Sequence, residues 1–188
     1  SANTRAVVNS DRGDYVPIFL SQIPQLFKEN LLPVQVALIQ VSEPDAHGYC
    51  SLGISVDIAR AAVDTAKHII AMVNPQMPRT HGDGYLHYSK MDAMVWIDTP
   101  LPEVDYASKK NKIVEKIGEH VASLIEDGST LQLGIGSIPD QVLQNLKHHK
   151  NLGLHTEMFS DGVIPLIQNG IINNSQKTIN PGRSVTSF

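Results

Sequence analysis

The feature that most constrains this chain is its regular succession of short apolar, β-branched runs and segments with helical spacing. "PVQVALIQVS" (33–42) alternates and is rich in Val and Ile, which predicts a strand. Ser55 stands where it can cap a helix over "VDIARAAVDTAK" (56–67), whose alanines at 59, 62 and 66 suit close packing on a sheet. "HIIAMVN" (68–74) and "MVWIDTPL" (94–101) predict two further strands. The polar, proline-containing stretch 98–112 reads as a connector. "IVEKIGEHVASLIEDG" (113–128) spaces its apolar residues as a helix closed by Gly128. Then follow a strand over "STLQLGIG" (129–136), a helix over "SIPDQVLQNLKHHK" (137–150) and a strand over "LGLH" (152–155). A helix over "VIPLIQNG" (163–170) capped by Asp161 and a strand over "SVTSF" (184–188) complete the series.

Strands alternating with helices predict an α/β fold with mostly parallel sheets and flanking helices. Such sheets bind ligands at the carboxyl ends of their strands. Two segments fall there: the Gly134-Ile135-Gly136 turn and the run His155-Thr156-Glu157. The strand, loop and capped helix of 36–67 resemble those of 129–149, which suggests two related halves.

Composition narrows the function. The 188 residues are 41% hydrophobic and 18% charged with a net charge of −4, and no Lys/Arg run gives a footprint for nucleic acid or an anionic membrane. No apolar stretch is long enough to span a bilayer, and the N-terminal "SANTRAVVNSDRG" has no signal-like apolar core. A single cysteine, Cys50, leaves no internal disulfide and fits a reducing, cytoplasmic setting. The chain starts without Met and ends on an alternation that reads as an interrupted strand, so an internal fragment is expected.

The candidate residues each have a bland reading beside the chemical one. In "LQLGIGSIPDQVL" the glycines allow close backbone approach, while Ser137 as cap, Pro139 and Asp140 form a helix start able to hold a phosphate. A plain strand-to-helix turn explains the same residues, since the fuller dinucleotide signature is missing. Glu157 at a strand end can serve as nucleophile, base or metal ligand, or be a solvated loop carboxylate. If Asp161 caps the next helix, Glu157 is free for another role. The histidines at 47, 81, 87, 148 and 149 match no zinc spacing, so no metal site is expected. His148-His149 suit the end of a helix, and Cys50 reads as a packed thiol. The loops "SEPDAHGYCSLG" (42–53) and "NPQMPRTHGDGYLH" (74–87) are of the kind that lines sites, with Arg79 and His81 as possible pocket residues.

Taken together, "LQLGIGSIPDQVLQNL", "LGLHTEMFSDGVIPLIQNGII" and "VALIQVSEPDAHGYCSLGISVDIARAAVDTAKHIIAMVNPQMPRTHGDG" resemble the acetyl-CoA hydrolase/transferase family. Within it they look like the 4-hydroxybutyrate CoA-transferases and their acetate-using relatives, over nearly the whole chain from about Ala6 to Phe188. The resemblance implies a two-domain CoA-transferase-like architecture of which this chain is part. Residues 1–100 are then the remainder of the N-terminal domain, and 101–188 the first part of the C-terminal domain, which carries the nucleophile. It further implies that the nucleophile is Glu157, in "HTEM", and that coenzyme A lies along Gly134, Ile135, Gly136, Ser137 and Ile138. The substrates implied are an acyl-CoA and a carboxylate, with no metal, and the assembly a homo-oligomer. Family members extend well beyond both ends of this segment. Their downstream glycine-rich part supplies an oxyanion-hole amide and further CoA contacts.

The reaction implied moves coenzyme A between carboxylates through a covalent glutamyl-CoA thioester, with ping-pong kinetics. An acetyl-CoA hydrolase is the alternative within the family. A catalytically incomplete CoA-binding or interface module, and a sugar-phosphate isomerase of related sheet topology, are the alternatives outside it.

Overall fold

The structure is a computed structural model that describes residues 2–103 and 111–188. Residues 104–110 of the connector expected over 98–112 therefore lie outside the described residues. The elements are α1 (Ala2–Val8), α2 (Ile23–Lys28), β1 (Val36–Val41), β2 (Tyr49–Ser51), α3 (Asp57–Thr65), β3 (His68–Val73), β4 (Tyr85–His87) and β5 (Ala93–Trp96). After the undescribed stretch come α4 (Lys112–Ala122), β6 (Thr130–Leu131), α5 (Ser137–Gln144), β7 (Gly153–Leu154) and α6 (Val163–Gln168). The α/β architecture with parallel sheets and flanking helices is the one expected.

The first half is built on a parallel sheet in the order β1-β3-β5, with Val36 opposite His68 and Ile70 opposite Ala93. Period-2 alternation decides its two faces. Ala37, Val41, Ile69, Ala71 and Val73 point into a core with Cys50, Leu52, Val63 and Leu86. Cys50 is fully buried and free, as its reading as a packed thiol requires, and burial pushes its thiol pKa up. The opposite face carries Val36, Leu38, Ile70, Met72 and Val95, all exposed, with Leu38 at 76%. Parallel sheets are normally covered on both faces, whereas these side chains stand exposed on this one.

The loops 42–53 and 74–87 contain structure that the sequence reading missed. They pair as an antiparallel ribbon, Tyr49 opposite His87 and Ser51 opposite Tyr85. Three-residue strands are too short to display an alternation. Ser55 does not cap α3: the residue before the helix is Val56 and offers no side-chain bond, while the Ser55 hydroxyl donates to the Asp57 carboxylate at 3.3 Å. Asp57, in the first turn, accepts from the N–H of Ala59 instead. The residues α3 buries fully are Ala61 and Val63; the alanines at 59, 62 and 66 are half-buried.

The second half packs a separate core of Ala122, Leu131, Leu133, Val142, Leu143, Leu146, Leu152, Leu154, Val163, Leu166 and Ile172. Asn111 caps α4 by accepting from Ile113 N–H at 2.9 Å. Helix α4 crosses α5 at Gly118, where a Cβ would fall 2.6 Å from Gln141 Cγ and 3.0 Å from its backbone carbon. That close approach requires glycine. α4 ends at Ala122, not at Gly128. Gly128, at φ +81°, belongs to a later turn and donates its N–H to Lys150 O at 2.9 Å. α5 likewise stops at Gln144, short of the histidine pair. His149 turns inward and donates from Nε2 to Ile125 O at 3.0 Å; the carbonyl can only accept, which sets the tautomer. Asp161 is not the cap of α6: Gly162 holds that position, and only the main-chain carbonyl of Asp161 accepts, from Ile164 N–H.

Leu154 lies at 0% exposure in the centre of the second core. Leu154→Ala is expected to cost about 2–5 kcal/mol from lost transfer energy and the cavity left behind. Chemical denaturation measures it, and a loss well below that range contradicts the packing described.

Candidate active site

The site follows from one register. β6 and β7 are parallel, with Thr130 opposite Gly153 and Leu131 opposite Leu154. Both carboxyl ends therefore emerge side by side, and the same register sets Leu133 beside Thr156. Here the ladder changes character. Leu133 N–H donates to Thr156 Oγ1 at 2.9 Å, and Thr156 Oγ1 lies 2.9 Å from Leu133 O and 3.2 Å from Met158 O as donor. Thr156 is buried at 5% exposure, whereas Glu157 next to it is exposed. A buried hydroxyl thus terminates the strand and turns the following carboxylate outward.

The backbone of Glu157 is held from its other side by the C-terminal segment. Its carbonyl is approached by Ser187 N–H and Phe188 N–H at 3.1 Å each, Thr186 Oγ1 at 3.1 Å and Ser187 Oγ at 2.9 Å. Phe159 N–H donates to Phe188 O at 2.7 Å, and His155 bridges to Val185. This bridge is what becomes of the strand expected over 184–188. Beneath it Lys177, only 6% exposed, donates from Nζ to Leu154 O at 2.8 Å and Arg183 O at 2.6 Å. Desolvation lowers the pKa of this ammonium. Gly153 makes room for it, since a Cβ there would lie 2.6 Å from Lys177 Cγ.

The glycine loop begins one residue after the Thr156 contact. Gly134 is exposed, and no protein atom lies within 4 Å of a Cβ built on it or on Gly136. Gly136, at φ +117°, is the N-cap of α5 and offers no side chain. Ser137 is therefore the first helical residue rather than the cap. Ile135 and Ile138 are exposed at 50% and 43%. Asp140, read in the sequence as part of the helix start, accepts from Ser160 Oγ at 2.6 Å. The expected site residues Glu157 and Gly134 to Ile138 are thus brought to one place. The sequence reading did not foresee the contacts of Thr156, Asp140 and Ser160 that join them, because each residue reads locally as an ordinary turn or cap residue.

Arg79 and His81 lie elsewhere, in the loop that leads into β4, bonded to the β2–β4 ribbon. Arg79 pairs with Asp45 at 2.6 Å, donates to Tyr49 O at 2.9 Å and lies 4.9 Å from the Tyr85 ring centre. His81 Nδ1 is hydrogen-bonded to Tyr85 Oη. Among the described residues no group of three or more His, Cys, Asp or Glu side chains could hold a metal, and no helix is long and apolar enough to cross a membrane.

With this geometry in hand, comparison with known proteins is direct. The sequence profile of the acetyl-CoA hydrolase/transferase N-terminal domain matches residues 1–117, and the chain belongs to that family. The 4-hydroxybutyrate coenzyme A transferase of Clostridium kluyveri is 55% identical, over 98% of this chain and 43% of that protein. The succinyl-CoA:acetate/propanoyl-CoA:succinate CoA transferase of Fasciola hepatica is 50% identical, over 99% and 39%. Among solved structures, a 4-hydroxybutyrate CoA-transferase from Porphyromonas gingivalis superposes with a TM-score of 0.88 at 43% identity, covering 100% of this chain and 48% of that one. RipA from Yersinia pestis gives 0.89 at 34%, covering 100% and 44%. The chain spans less than half the length of these relatives.

Asp45 offers a pH test of the ribbon. The N–H of Tyr49, opposed by partial burial and aided by the N–H of His47 and the Arg79 charge, holds its carboxyl below the ordinary value. A depressed native pKa adds stability that is present above the unfolded value of about 3.9 and is lost as pH falls through the native one. Asp45→Asn is expected to flatten the acid limb of the stability profile below about pH 4. A limb as steep as in the unaltered chain, followed by circular dichroism, contradicts that assignment.

Proposed function

We propose that the protein containing this chain transfers coenzyme A from an acyl-CoA to a carboxylate, with Glu157 as nucleophile and the Gly134–Ile138 loop lying along the coenzyme. The observation that carries the reading is the meeting, at the ends of β6 and β7, of an outward carboxylate and a glycine loop with open space around it. Family membership and the names of the relatives support the same chemistry.

In this mechanism the Glu157 carboxylate attacks the thioester carbonyl, the C–S bond breaks, and a mixed anhydride and CoA thiolate result. The thiolate attacks the glutamyl carbonyl and expels the first carboxylate, leaving a glutamyl-CoA thioester. A second carboxylate attacks that thioester, re-forming an anhydride and the thiolate. The thiolate then takes the new acyl group and restores the Glu157 carboxylate. Every step conserves the activated acyl bond. The glycine loop suits the coenzyme because Gly136 holds a backbone that other residues resist, and no side chain caps the first N–H groups of α5. The chemistry requires exclusion of water and fixed oxyanion donors. In this reading the remainder of the full-length protein supplies what the exposed Glu157 lacks.

The separate cores of 37–94 and 122–172 support a division into an N-terminal unit, 1–100, and the beginning of a second unit, 101–188. A homo-oligomer in the cytoplasm, where the free Cys50 stays reduced, completes the proposal.

In the full-length protein, Glu157→Gln is expected to abolish exchange while leaving coenzyme A affinity within about twofold. Retained exchange in steady-state assays rejects the nucleophile assignment. Gly136→Val, strained at φ +117° and filling the open space, is expected to weaken coenzyme A binding by about tenfold or more. Unchanged affinity by calorimetry removes the loop from the site.

A further inference from the structure

The turn carrying Glu157 is fastened at two points, and the points bracket the glycine loop. At its start, buried Thr156 Oγ1 accepts from Leu133 N–H at 2.9 Å and stands 2.9 Å from Leu133 O, immediately before Gly134. At its end, Ser160 Oγ donates to Asp140 Oδ1 at 2.6 Å, in the first turn of α5 just after the loop. The turn 156–160 and the loop 133–140 therefore form two arches joined at both feet. Between those feet stand the exposed Glu157 on one arch and Gly134 and Gly136 on the other.

We propose that Thr156 and Ser160 are positioning residues that fix the Glu157 carboxylate relative to the coenzyme loop. This inference rests on the transferase reading above and deepens it. Thr156 is the stronger of the two. It satisfies a main-chain donor and acceptor that the ladder would otherwise leave unpaired, and its burial shields both bonds from water. Ser160 is half-buried and joins a charged partner, so its bond limits the swing of the turn more than it stabilises the fold. Neither side chain is required to touch substrate. Their effect is on where the nucleophile stands when the thioester arrives, and displacement of a reacting group by about 1 Å costs on the order of 100-fold in rate.

The test uses the full-length protein with Thr156→Val, Thr156→Ser, Ser160→Ala and Asp140→Ala, with thermal melting to verify folding. Thr156→Val keeps the shape and removes the hydroxyl. It is expected to lower kcat by about 100-fold with the KM for acyl-CoA changed by no more than about twofold. Thr156→Ser, which keeps the hydroxyl, is expected to restore kcat to within about fivefold. Ser160→Ala and Asp140→Ala are each expected to lower kcat by about tenfold, and their combination by no more than either alone, because both break one bond. If Thr156→Val does not fold, the Ser160 and Asp140 pair decides. Normal kcat in folded Thr156→Val, failure of Thr156→Ser to rescue it, or normal kcat in both single variants of the second latch overturns the proposal. Glu157→Gln, run alongside, separates the two layers. An inactive Glu157→Gln with a fully active Thr156→Val defeats only the positioning inference, whereas an active Glu157→Gln defeats the transferase reading itself.

Discussion

One buried hydroxyl stands where the β6–β7 ladder would have its next rung. Thr156 Oγ1 engages both the N–H and the C=O of Leu133, so β6 ends without an orphaned main-chain group although its neighbour stops pairing as a strand. An unsatisfied buried amide or carbonyl costs about 1–3 kcal/mol. Closing both at a single side chain lets the two strands diverge at one point. What diverges there is the glycine loop on one side and Glu157 on the other. The second core, with Leu131, Leu152 and Leu154 fully or nearly buried, is the platform on which that divergence is held rigid.

The C-terminal segment extends the platform. Lys177 crosses over Gly153 and ties Leu154 O to Arg183 O, and residues 185–188 converge on the backbone of 156–159. A charged ammonium with no carboxylate partner among the described residues is tolerated because two carbonyls receive its protons at 2.8 and 2.6 Å. The backbone of Glu157 is thus fixed from the β6 side and from the chain end, while its side chain remains outside. Rigid support of an exposed functional group on strand ends is how α/β sheets generally build sites.

How much of this was legible in the sequence depended on the range of the interaction. Period-2 alternation over 36–41 and 68–73 and helical spacing over 57–65 and 112–122 are local signals, and each produced an element of the expected type. The ribbon of Tyr49–Ser51 with Tyr85–His87 did not show, because its stability comes from pairing across 34 residues or more between strands too short to alternate. Caps failed for a related reason. Ser55, Ser137, Asp140 and Asp161 all have capping chemistry, yet Asp140 is drawn to Ser160 and Gly136 takes the N-cap at a φ only glycine tolerates well. Glu157 and Gly136 stood out by type and placement. Thr156 did not, since nothing in "HTEM" announces that its hydroxyl reaches a strand 23 residues earlier.

The account depends on a covalent event at one carboxylate, and intact-protein mass spectrometry of the full-length protein mixed with acetyl-CoA tests it most directly. The account predicts a coenzyme-A-sized mass increase that peptide mapping assigns to Glu157 and that an added acceptor carboxylate discharges as new acyl-CoA. Discharge by water at the same rate without acceptor would make the protein a hydrolase acting through the same residue. Turnover with no adduct, or an adduct mapped to any other residue, would contradict the account.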